Sequence, residues 1–187
     1  MKLDRRLIAA TAGALALGGA LLVSPPLAGA HDTPVPHAEE LSGAERHVIR
    51  DATRQFRDVD VALEAGYLPT DECAEAPGLG AMGYHFVNPS LIGDGLVDPA
   101  RPEVLLYAPA PNGALRLVGV EYMVVDADQD LATDGDRPML MDHAFEGPMP
   151  GHEPGMPVHY DLHAWVFTNN PSGNLAAWNP AISCPQG

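Results

Sequence analysis

The chain has 187 residues, with 25 acidic side chains against 10 basic ones and a formal net charge of −15 at neutral pH. That length suits one ordinary domain with a real core. The negative excess excludes nucleic-acid binding and docking on anionic membranes, because both need cationic patches.

The N-terminus reads M-K-L-D-R-R, followed by an apolar run from Leu7 to Val23 and a small-residue stretch Ala28-Gly29-Ala30. A positive start, an apolar middle and a small-x-small end predict a secretory signal peptide over residues 1–30 and a secreted, extracellular protein. Residues 31–41 (H-D-T-P-V-P-H-A-E-E-L) have two prolines and no periodicity, which predicts a flexible leader. A cut after Ala30 would expose His31 as the mature N-terminus, where an amine and an imidazole can chelate copper together with a second histidine. Residues 42–187 form the single globular domain.

Ser42-Gly43-Ala44-Glu45 has the form of a capping box. Val48, Ala52, Phe56, Val59 and Leu63 then recur at helical spacing, with Arg46, Arg50, Arg54 and Arg57 on the wet side and Gly66 as the stop. This predicts one long N-terminal helix. Tyr67 to Gly83 is rich in proline and glycine and reads as a loop. Cys73 lies in it, and the chain's second cysteine is Cys184. In an exported protein the default is one disulfide between them.

Met82 to Val87 reads as a short strand. Val104 to Pro109 and Leu115 to Asp126 read as an antiparallel pair turning at Asn112-Gly113. Asp126 to Asp136 is acidic and turn-like, and invites calcium. The EF-hand pattern, however, needs glycine at its sixth position and glutamate at its twelfth, where this chain has Leu131 and Arg137. Pro138 to Pro157 is a long loop of Met, Gly, Pro and His, a length often used for binding. Val158 to Phe167 (V-H-Y-D-L-H-A-W-V-F) reads as a strand with Val158, Tyr160, Leu162, Ala164 and Val166 on a core face. His159, Asp161, His163, Trp165 and Phe167 take the other face. The fold class is therefore α+β, one long N-terminal helix packed on a mainly antiparallel sheet with one disulfide.

Glu121 stands in V-G-V-E-Y-M-V-V, and a carboxylate buried in so apolar a strand needs a partner or a cation. His85 stands between two aromatics. Glu121 and Asp161 are the candidate catalytic carboxylates, and His85, His143, His159 and His163 the candidate ligands for a divalent metal, zinc or copper. His152 and Glu153 lie in the long loop nearby. His159 and His163 are four residues apart, about 13 Å at Cα on a strand, which is wide for one ion to bind both directly. No G-x-S-x-G elbow is present. Ser90 and Ser172 sit at turns, where turn chemistry accounts for them.

The motifs M-G-Y-H-F-V-N-P, L-V-G-V-E-Y, P-M-P-G-H-E-P-G-M-P and H-Y-D-L-H-A-W together resemble a group of small exported bacterial proteins mostly described as hypothetical. The size, the export signal and the missing serine elbow are also similar to the small actinobacterial cholesterol esterases. The first resemblance implies no activity, and the second implies no particular residue. The expected function is a His/carboxylate pocket that binds a divalent metal, stored or used to hydrolyse a small apolar or ester substrate. The alternatives are a metal-free esterase and a binding module without chemistry.

Overall fold

The computed structural model describes residues 40–153 and 155–185. The expected signal peptide, most of the leader and His31 lie outside the described residues. No helix among those described is long and apolar enough to cross a membrane.

The capping box forms as the sequence suggests. The Ser42 side chain accepts from Glu45 N at 3.3 Å, and Ser42 N donates to Glu45 Oε2 at 2.6 Å. Helix α1 (Gly43–Thr53) then gives way to a 3₁₀ turn (Arg54–Arg57) before α2 (Val59–Glu64), so the single long helix is broken in two. Asp58 starts the second piece by accepting from Asp60 N. The break re-phases the buried stripe. Ile49, Thr53, Phe56 and Ala62 are buried, whereas Val48 is 46 % and Leu63 42 % exposed. Gly66, with φ of +92°, ends the helical segment where a side chain would be strained.

The segment from Tyr67 to Gly83, expected as a loop, is instead largely a hairpin of β1 (Leu68–Ala76) and β2 (Gly80–Val87). β1 is an edge strand with exposed Pro69, Glu72 and Glu75, so it lacks the apolar alternation that marks a half-buried strand. Cys73 on β1 bonds Cys184 as expected. After the short helix α3 (Pro89–Ile92) come β3 (Val104–Pro109) and β4 (Leu115–Val125), close to the bounds read from the sequence. The expected long loop from Pro138 holds β5 (Met139–Leu140), β6 (His143–Ala144) and β7 (Glu146–Met149), and β8 (His159–Ala164) follows. The main sheet is six-stranded, in the order β1-β2-β3-β4-β8-β7, and every pairing in it is antiparallel. β5 and β6 pair separately.

The helical segment covers one sheet face. Ile49, Phe56 and Ala62 pack there with Leu105, Tyr107, Val120, Tyr122, Tyr160 and Leu162. On the opposite face a smaller apolar group gathers Ala81, Val104, Leu106, Ala108, Val118, Trp165 and Ile182. Phe167, expected with Trp165, packs against the first group instead, under Arg50 and Arg57. Two glycines permit close approaches. A Cβ on Gly83 (φ +96°) would lie 2.3 Å from Tyr107 O, and one on Gly119 2.9 Å from Ala164 O.

Candidate metal centre

The antiparallel register sets the site. β4 and β8 pair Glu121 with His163, Met123 with Asp161, and Val125 with His159. Alternation puts His159, Asp161 and His163 on one face of β8, the face that also carries Trp165. β3 separates β4 from β2, with Val104 opposite Glu121 and Leu106 opposite both Gly119 and His85. His85 and Glu121 therefore start two strand spacings apart and two residues offset along the strands, about 12 Å, and their long side chains meet above the β3 residues. His85 Nε2 lies 3.3 Å and His163 Nε2 3.8 Å from Glu121 Oε2. His163 Nδ1 lies 3.7 Å from Asp161 Oδ1.

The result is a polar strip along a sheet face that was expected to look onto solvent or a pocket, and that is instead covered. His159 is 0 %, His163 1 %, Asp161 3 % and Glu121 4 % exposed. Burying such groups normally demands hydrogen bonds, yet Glu121 Oε2, Asp161 Oδ1, His159 Nε2 and both ring nitrogens of His163 have none of good geometry. No arginine lies within ion-pair distance of Glu121 or Asp161 among the described residues. His85, with its side chain 19 % exposed, is where the Glu121 end of the strip nears solvent.

Burial pushes the imidazolium forms of His159 and His163 down, which favours neutral rings with a free lone pair. The two carboxyls diverge. Burial resists ionisation of Glu121, but His163, His85 and His159 outweigh it and hold its carboxyl below the usual range. Burial, and then the nearby Glu121 and Glu146, push the Asp161 carboxyl up. Glu121 carries the charge of the two carboxyls.

Two sets of three donors result, each with its candidate ligand atoms within 4.8 Å of one another: His85, Glu121 and His163, and His152, His159 and Asp161. His159 and His163, about 13 Å apart at Cα along the strand, fall in different sets. His143 stands apart from both, on β6, with Nε2 3.5 Å from Glu45 Oε1. The acidic segment from Asp126 to Asp136 forms turns. Asp128 Oδ1 accepts from Asp130 N, Asp130 Oδ1 accepts from Ala132 N, and no three of its carboxylates converge among the described residues. Ser90 N and Ser172 N donate to Asn88 Oδ1 and Asn170 Oδ1, and no histidine hydrogen-bonds either serine among the described residues.

A buried carboxylate that sequence reasoning missed is Glu103, 1 % exposed, whose Oε2 accepts from Met123 N at 3.1 Å. It directly precedes the apolar run of β3 in R-P-E-V-L-L, a position that reads as an ordinary exposed strand start.

Comparison of the chain with protein-family models, with curated proteins and with solved structures finds no match. The functional reading therefore stands on the geometry of the strip.

Proposed function

We propose that the protein binds a divalent transition metal, zinc or copper, through His85, Glu121 and His163, and that the loaded centre activates water for hydrolysis. The observation that supports this is the unpartnered buried set itself, in which Glu121 Oε2 and the His163 nitrogens are buried without a hydrogen bond. Their spacing suits a small ion. Tetrahedral bonds of 2.0–2.1 Å put ligand atoms about 3.4 Å apart, and the separations here are 3.3 and 3.8 Å. Asp161, facing Nδ1 of His163, is placed as the carboxylate that orients a metal-bound imidazole.

Three protein ligands with one position left over is the pattern of catalytic zinc rather than structural zinc. An ion so held would lower the pKa of bound water toward 7, which is the chemistry it would supply here. Glu121 would supply the anionic ligand of that set. A small apolar or ester substrate is the class this reading proposes. Export belongs to the same reading, supported by the signal-like N-terminus and the Cys73–Cys184 bond.

The test is thermal unfolding of EDTA-treated protein titrated with ZnCl₂ or CuCl₂, alongside turnover of a chromogenic ester. An ion present at a hundred times its Kd stabilises by about 2.7 kcal/mol, a rise of roughly 5–10 °C in Tm. His163→Ala and His85→Ala reduce the rise and abolish the turnover. A Tm unmoved by either metal in the wild-type protein refutes metal binding. A shift without turnover leaves a storage or structural role and removes the hydrolase.

A further inference from the structure

We infer that the strip holds a second divalent ion, bound by His152, His159 and Asp161 and separated from the first by the His163 ring. The inference rests on the metal reading of the strip and extends it from one ion to two.

His159 carries the argument furthest. Its Nδ1 lies 3.1 Å from the carbonyl oxygen of Pro157. A carbonyl only accepts, so Nδ1 bears the proton and the lone pair is on Nε2. That nitrogen is buried and has no hydrogen-bond partner. A ring held by a backbone carbonyl on one nitrogen, with the other bare, is the usual preparation of a histidine ligand. Asp161 Oδ1 is buried and equally without a partner. His152 supplies the third donor, its ring centroid 4.8 Å from that of His159 and nearly perpendicular to it. Gly151 lets the backbone fold in beside the strip, since a Cβ there would lie 2.2 Å from Met156 O.

Register places Glu146 opposite Asp161 on β7, a further carboxyl beside the second set. His163 stands between the two sets, Nε2 turned to Glu121 and Nδ1 to Asp161, each within 4 Å. The sets differ in shelter. His85, Glu121 and His163 all come from sheet strands, whereas His152 is exposed on a loop, so the second ion is the more readily exchanged of the two.

Zinc content per chain, measured by elemental analysis after incubation with ZnCl₂ and gel filtration, decides the matter. The expected result is two equivalents for the wild-type protein and one each for His152→Ala and His85→Ala. His152 is exposed, so its removal leaves the folded sheet intact, which the far-UV spectrum and Tm of the metal-free variant check. One equivalent in the wild-type protein, unchanged in His152→Ala and lost in His85→Ala, overturns the second ion and leaves the first. Two equivalents retained by His152→Ala also overturn it as assigned. No zinc in the wild-type protein overturns both readings.

Discussion

Substituting Glu103 by glutamine tests the electrostatics of a carboxyl buried in the sheet without touching a candidate ligand. Burial, only partly offset by the Met123 N–H, lifts the Glu103 carboxyl from 4.5 to about 7. Between those values the folded protein keeps a proton that the unfolded chain has released. Stability is therefore lost as pH rises from 4.5, and the whole penalty is present above about 7. At roughly 1.4 kcal/mol per pH unit the gap amounts to ~3 kcal/mol. Glu103→Gln keeps an amide oxygen for Met123 N–H and removes the charge. Urea unfolding of the EDTA-treated proteins at pH 4, 6 and 8 measures the effect. The variant should gain ~3 kcal/mol on the wild-type protein between the two ends of the series, equivalent to about 6–12 °C in Tm. Whatever the substitution costs in packing is common to all three pH values and cancels. Stability curves that run parallel across the series refute the burial argument for this carboxyl.

Two further predictions concern the frame that holds the strip. Replacing both Cys73 and Cys184 by serine opens a loop of 111 residues. In the chain-entropy model this costs about 5 kcal/mol at most, read as a lowered urea midpoint that a reductant no longer changes. Gly83→Ala forces a side chain onto a backbone at φ +96° with a carbonyl oxygen 2.3 Å away, two residues before His85. It should cost about 3 kcal/mol or more, visible as a drop in Tm or loss of soluble protein, and an unchanged Tm would refute the close approach of β2 to β3.

Legibility in the sequence followed burial. β3, β4 and β8 sit inside the sheet, and apolar runs or strict alternation gave them away almost to their ends. The capping box was readable because it depends on two side chains and local backbone. β1 and β7 were not readable, because edge strands carry prolines and acids that look like loop. The helical break at Arg54 also left no signal. Arg54, Gln55 and Arg57 have no bias against a helix, and the packed partners of Phe56 and Ala62 set the phase. Glu121 and His85 announced the site because each is polar among apolar neighbours. Sequence reasoning put His159 with His85 and His163; that it pairs with His152 instead depends on how a glycine-rich loop folds back, which no periodicity encodes.

The two rims of the six-stranded sheet bear on how this protein behaves at high concentration. One rim is β1, with Pro69 and exposed Glu72 and Glu75; the other is the four-residue β7, with Glu146 and Pro148. Prolines that cannot donate and like charges that repel are the means by which open sheets avoid recruiting a neighbour's strand. Both ends of the ladder are closed to further growth in this way, so a molecule with a long antiparallel sheet is shielded from stacking rim to rim into fibrils.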